Sequence, residues 1–390
     1  MRNRPIYLDN QATTACDPRV MAAMLPWFTE FFGNPHSAEH TMGQQAEAAV
    51  EAARAEMAGL IGAEAREITF TSGATESNNI AIKGAARFAA RMGDPRKRVI
   101  TVATEHKCVL ESVADLGEEG FEPVVLPVGA DGLLDPDLLR DALAVPTLLV
   151  SVMAVNNEIG VIQDIKALAV IAREAGALFH TDAAQATGKI ALDVAGIDLL
   201  SVSGHKFYGP KGVGALYVRR RPRVRIAPLF SGGGQEHGLR SGTLPTPLIV
   251  GLGVACRLVA SEMADDGARI AELRDRMLHG LATAIPGITV NGSTTARIAG
   301  NLNITFPGAA AIPLMAAMPE LCVSTGSACS SAEVEPSYVL RALGLNDDAA
   351  ARTLRVGIGR FTSAAEIDEA VALFARAYAT VTRPEPPCPK

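Results

Sequence analysis

The sequence predicts an α/β protein: a large domain on a mostly parallel sheet with helices on both faces, then a smaller α+β domain. Three observations carry this expectation. Between about residues 45 and 255, short apolar runs alternate with Ala-rich helical patterns, the rhythm of β–α–β units. After about residue 256 the rhythm changes to one long helical pattern followed by short β-like segments and further helices. And 390 residues are more than one simple core usually spans. The expected division is 16–255 for the large domain, with 1–15 and 256–390 forming the small one.

In chain order, residues 1–15 are expected to pack beside the small domain or over the site. Short buried strands are predicted at 68–71, 99–102, 121–126, 148–153, 178–180 and 199–202, with 213–218 as a seventh, returning strand. Helical patterns between them include 44–61, 76–92 and 165–175. The long helix is predicted over 255–284. Then come β segments at 289–290 and 301–306, a small-residue loop, a helix near 336–343, a strand at 353–358 and a final helix from 364. The Pro-rich stretch 383–390 reads as a disordered tail.

With 48% hydrophobic and 20% charged residues, the composition is that of a soluble globular protein. A net charge of -6 argues against nucleic acid as a partner. Residues 1–10 lack the apolar core of a signal peptide. The longest apolar stretch, 247–260, contains Gly251, Gly253 and Arg257 and is too short for a bilayer. The expectation is a cytoplasmic protein without membrane contact. Six cysteines without a C-x-x-C pair suggest neither zinc nor a disulfide framework. Cys256 and Cys322 read as small buried hydrophobes, while Cys16, Cys108 and Cys388 are left open.

Five segments at expected strand ends carry the chemistry. Ser203-Gly204-His205-Lys206, before a Gly/Pro turn, is the setting of a Schiff-base lysine, with pyridoxal phosphate as the electron sink. Ser72-Gly73-Ala74-Thr75 enters a helix, so its backbone N–H groups and the Thr75 hydroxyl suit a phosphate; an ordinary N-capped helix reads the same way. Asp182 ends a buried strand and suits a protonated pyridine nitrogen, with Gln185 at the ring hydroxyl oxygen; taken alone, such an Asp is more often a cap for the next helix. His106 follows another strand and suits ring stacking or acid/base work. Asn157 suits the ring oxygen or a substrate carboxylate, and is otherwise a plain turn residue. Their joint order at the strand ends of one sheet says more than any one of them.

Together these segments resemble the cysteine desulfurases of the class V pyridoxal phosphate enzymes, closest to the housekeeping iron–sulfur type and near the nitrogen-fixation type. The resemblance runs from Tyr7-Leu8-Asp9-Asn10-Gln11-Ala12-Thr13-Thr14 through Gly33-Asn34-Pro35-His36-Ser37 and Glu335-Pro336-Ser337-Tyr338 to about Thr362. It implies fold-type I architecture with a seven-stranded sheet in the large domain. Lys206 would hold the cofactor, and Ala74, Thr75, Ser203 and His205 its phosphate end. Thr243 would reach the phosphate of a neighbouring subunit's cofactor, which implies a homodimer.

Ser324-Thr325-Gly326-Ser327-Ala328-Cys329-Ser330-Ser331 matches the family's cysteine loop, with Thr325 at one Ser position. A run of small residues has few anchors, so a mobile loop displaying a nucleophilic Cys329 is expected. By resemblance, Lys206 moves the α-proton of L-cysteine, Cys329 takes the sulfur as a persulfide, and L-alanine leaves. Arg355 would clamp the substrate carboxylate, with Asn34 and Asn157 as helpers and Arg360 as the rival arginine. No resident metal is implied; Cys329 would at most share a 2Fe–2S cluster transiently with a scaffold.

The pattern departs from the family at 306–319, which lacks the expected acidic residues, and in its short Pro-rich C-terminus, which puts docking of an iron–sulfur scaffold in doubt. Another persulfide acceptor, in tRNA thiolation or cofactor synthesis, stays open. A selenocysteine lyase shares these residues. An aminotransferase would not need Cys329, and a non-catalytic sulfur-relay protein would not need an intact Lys206, Asp182 and His106.

Overall fold

The computed structural model describes residues 4–326 and 336–383. Its strands are β1 (Ile6–Tyr7), β2 (Ile68–Thr71), β3 (Arg98–Val102), β4 (Glu122–Leu126), β5 (Thr147–Ser151), β6 (Leu178–Asp182), β7 (Leu199–Ser203), β8 (Gly214–Val218), β9 (Thr289–Val290), β10 (Asn301–Thr305), β11 (Leu321–Cys322) and β12 (Thr353–Gly357). Seven of them form one sheet in the order β2-β8-β7-β6-β5-β3-β4. The pairs β3–β4, β3–β5, β5–β6 and β6–β7 are parallel; β8 alone runs antiparallel to both of its neighbours. Every residue of β5 and β7 is buried, as expected of parallel strands covered by helices on both faces. The predicted bounds of these seven strands hold to within two residues.

This topology brings the chemistry together. The C-terminal ends of β2, β3, β5, β6 and β7 open on one side, and the turns after them carry residues 72–75, 103–106, 152–158, 183–185 and 204–206. Two smaller sheets complete the fold: an antiparallel β12-β10-β9 and a parallel pair, β1 with β11.

The long helix differs from its prediction. It runs Thr246–Ala284, 39 residues, and starts nine residues before the predicted 255. Pro247 sits in its first turn, where no N–H is needed from it. Gly251 and Gly253 mark close approach instead of helix breaking. A Cβ on Gly253 would stand 2.7 Å from Cα and Cβ of Ala53, and one on Gly251 2.5 Å from the Met24 sulfur. The length argument against a membrane therefore fails, since by length and composition this helix is able to span one. Its apolar residues are accounted for by packing on the helices Thr41–Ile61, Pro18–Met24 and Ala364–Val381.

That helix serves two hydrophobic cores. Ile249, Leu252, Cys256 and Val259 join the core under the large sheet, whereas Ile270, Leu273, Met277 and Leu281 join a second core with Ile6, Leu8, Leu302, Ile304, Leu354 and Phe374. Cys256 is fully buried against Met57, as a small hydrophobe would be. Cys322 is only half-buried, because in the two-residue strand β11 it is the neighbouring Leu321 that joins that core.

Candidate active site

The strand-end turns surround a cavity of about 600 Å³. Ala74, Thr75, His106, Asn157, Asp182, Gln185, Ser203, His205, Lys206 and Arg355 all line it. Asn34 and Thr243 do not; both are exposed elsewhere on the protomer. Arg360 does not line it either, being held by Asp17 and Asp266 at 3.0 and 2.7 Å and stacked on the Tyr208 ring. Cys329 and Cys388 lie outside the described residues, as does most of the tail.

Lys206 follows β7 on a single 3-10 turn. Its amine donates to the carbonyls of Gln11 and Ala12 at 2.9 and 2.8 Å. Burial and the positive charge of Arg355 push it down to about 8, against the pull of Asp182 and Asp9. The N-terminal segment thus forms a wall of the cavity. Thr13 Oγ1 meets His205 Nδ1 at 3.0 Å, and Thr14 Oγ1 donates to the His205 carbonyl at 3.0 Å.

Asp182 ends β6, buried, with Oδ1 accepting from the Ala184 N–H at 2.9 Å and Oδ2 from Asn78 Nδ2 at 2.7 Å. Gln185 donates to the Gln11 carbonyl at 2.8 Å and accepts from Lys189 at 2.7 Å, which fixes its amide. His106 caps the helix Lys107–Glu118: its Nδ1 accepts from the Cys108 N–H at 3.2 Å and lies 3.0 Å from the Cys108 sulfur. Desolvation lowers the imidazole's pKa, Asp182 opposes this, and Lys206 and Lys107 add to it. Cys108 also lines the cavity, and burial raises its thiol to about 12, so it is a neutral neighbour there.

At the phosphate-suited end, the helix Ala74–Arg91 begins at Gly73, whose φ of +149° belongs to glycine, and no side chain caps it. At the other end, Arg355 donates from Nη1 to the Asn157 carbonyl at 2.9 Å and from Nη2 to Asp9 at 2.7 Å. Its Nε is buried without a partner, and so is Asn157 Oδ1. Buried polar groups are rarely left unpaired, so two of them beside one cavity point to a polar ligand.

The class-V aminotransferase family model matches residues 6–370. Cysteine desulfurase IscS of Rickettsia bellii is 55% identical over 371 residues, covering 95% of this chain and 90% of the relative. A probable mitochondrial cysteine desulfurase of Dictyostelium discoideum is 55% identical over 367 residues, covering 94% and 81%. Among solved structures, a NifS-like protein superposes with a TM-score of 0.89 at 33% identity, over 96% of this chain and 100% of that one. The chain belongs to the class-V aminotransferases, among the cysteine desulfurases.

Cysteine desulfurases use pyridoxal phosphate, and the residues present fit that group. An uncapped helix N-terminus suits its phosphate, a buried carboxylate its ring nitrogen, and an amine depressed towards neutrality its aldehyde. Several residues of this desulfurase site gave no signal of their own in the sequence. Asn78 holds Asp182, Asp9 holds Arg355, and Gln11 offers a carbonyl shared by Lys206 and Gln185. The only hint was that Asp9 and Gln11 fall inside the segment Tyr7–Thr14, which carries part of the family resemblance.

Proposed function

We propose that the protein removes sulfur from L-cysteine, releases L-alanine and keeps the sulfur as a persulfide on Cys329 for an acceptor. The observation that carries this is the half-buried Lys206 amine, held by the Gln11 and Ala12 carbonyls in one cavity with Asp182 and Arg355. Pyridoxal phosphate, when bound, supplies the sink for the electrons of the substrate's Cα–H bond. Lys206 takes that proton, since an amine with a pKa near the working pH serves as base and then acid. Arg355 binds the substrate carboxylate through its free Nε edge, while its other bonds to Asp9 and Asn157 keep the guanidinium in place. His106 would hold the cofactor ring by stacking, and Thr75, Ser203 and His205 would hold its phosphate. The Cys329 thiolate attacks the substrate sulfur. The new S–S bond forms as the C–S bond breaks, its electron pair stays on carbon, and carbon takes up a proton to leave as alanine.

The same reading makes the protein a cytoplasmic homodimer, with Thr243 serving a neighbouring copy's site, and without membrane or nucleic-acid partners; we extend the neighbour's role to Asn34, which lies outside its own protomer's cavity. The acceptor is an iron–sulfur scaffold or another sulfur-carrying protein. Two domains, divided within the long helix near residue 256, would account for its two cores.

The test is alanine and sulfide release from L-cysteine with a reductant, by wild type and Cys329→Ala together. Release of both products in step by wild type and neither by the cofactor-loaded variant is expected. An equally active variant would move the assignment to a lyase or aminotransferase.

A further inference from the structure

Glu158 has no part in the reaction just described, yet the two ends of the Cys329-bearing segment meet on it. On the entering side, Ser324 and Arg355 exchange backbone hydrogen bonds of 3.3 and 2.7 Å. Two residues on, Gly326 has a φ of +92° and lies against the Glu158 carboxyl. A Cβ there would stand 2.9 Å from Oε2 and 3.2 Å from Cγ and Cδ. On the leaving side, Ser337 Oγ donates to the same Oε2 at 2.6 Å, and the Tyr338 hydroxyl donates to the Glu105 carbonyl at 2.6 Å.

Glu158 is itself fixed from below. Its N–H donates to Asn156 Oδ1 at 2.8 Å, and its carbonyl accepts from Asn301 and Asn303 at 3.0 and 3.4 Å. The residue is 2% exposed and lines the cavity. Desolvation raises its carboxyl above the usual range, against the hydrogen bond from Ser337 and the charges of Arg355 and Lys107. A buried carboxyl in the same turn as Asn157 is a costly way to hold a turn together, and an apolar residue would suffice for packing alone.

We propose that Glu158 is a positioning residue. It anchors Gly326 before and Ser337 after the Cys329 segment, and so sets the approach of the thiol to the substrate sulfur. The inference rests on Cys329 as the nucleophile. A group with this role acts on sulfur transfer while leaving cofactor and substrate binding alone, a split that a purely structural residue would not produce.

Single turnovers of the pyridoxal phosphate-loaded enzyme with L-cysteine test it, using Glu158→Ala, Glu158→Gln, Ser337→Ala and Cys329→Ala beside wild type. Three quantities are read: cofactor affinity, the absorbance change on adding L-cysteine, and the rate of alanine formation. Glu158→Ala is expected to keep the first two and to form alanine ~10- to 100-fold more slowly, the effect of misplacing a reacting group by about 1 Å. Glu158→Gln, whose amide oxygen still accepts from Ser337, is expected to recover most of the rate. Should Glu158→Ala fail to fold, Ser337→Ala must show the same split. Wild-type alanine formation in folded Glu158→Ala or Ser337→Ala, or a loss that only parallels lost cofactor, overturns the proposal. An active Cys329→Ala would sink the nucleophile assignment itself, whatever Glu158 does.

Discussion

Lys206 is where several neighbours compete over one proton. Burial and Arg355 oppose the charge, Asp182 and Asp9 favour it, and the balance is about 8. An amine must be unprotonated to attack an aldehyde. Capture of pyridoxal phosphate by the cofactor-free protein should therefore quicken as pH rises through about 8 and level off above it. Arg355→Met removes a positive neighbour, so the midpoint should move to higher pH; stopped-flow absorbance reads both curves. An unmoved midpoint would remove Arg355 from the account of Lys206. Which residues the sequence made visible follows from the same physics. Lys206, Asp182 and His106 stand out because a titratable group at the end of an apolar run is unusual. Glu158 and Asn78 do not, because a Glu in a turn or an Asn in a helix looks solvated until the fold buries it. Arg355 was visible as a cation, but not the ion pair with Asp9, 346 residues away in sequence, that aims it.

The elements were legible wherever local pattern decides them. The seven strands of the large sheet are short apolar runs between turn residues, and their bounds follow from that pattern. Their order does not, and nothing local marks β8 as the one antiparallel strand. The long helix shows the converse, because its first nine residues, 246–254, escaped the local pattern and its glycines there serve a neighbouring helix. Gly253 meets the backbone of Ala53 on the helix Thr41–Ile61, with no room for a Cβ. Gly253→Val should therefore force the two helices apart and cost about 2–3 kcal/mol, despite valine's lower backbone entropy cost. Gly267 in the same helix has nothing within 4 Å of a Cβ and provides the control. Gly267→Ala should be neutral or stabilising by up to about 1 kcal/mol, as a helix-interior glycine replaced by alanine. Denaturant midpoints compare the two; equal losses would mean that close packing at 253 is not what the glycine serves.

The whole molecule carries an apolar surface that its own cores leave uncovered. Leu25 and Phe32 are 58% and 66% exposed, Phe28 is exposed beside them, and Trp27 and Phe31 pack ring to ring in the same short stretch. Exposed aromatic residues gathered in one short stretch mark an interface, and Asn34 stands two residues beyond Phe32 in sequence. Thr243, also exposed, stands outside its own protomer's cavity. Both residues gain a role if a second copy packs here, because each is then offered to a site it does not line at home. On that reading, Phe28→Asp combined with Phe32→Asp should leave monomers in sedimentation where wild type sediments as a dimer, and weaken pyridoxal phosphate binding. Thr243→Ala should weaken the cofactor about tenfold with sedimentation unchanged, the loss of one hydrogen bond to a charged phosphate at about 1.5 kcal/mol. The pair of variants separates assembly from contact. A wild-type protein that sediments as a monomer with tight cofactor would refute the shared site. A charged patch that leaves the dimer intact would place the interface on another face, and the Thr243 result would still decide whether a neighbour's hydroxyl reaches the phosphate.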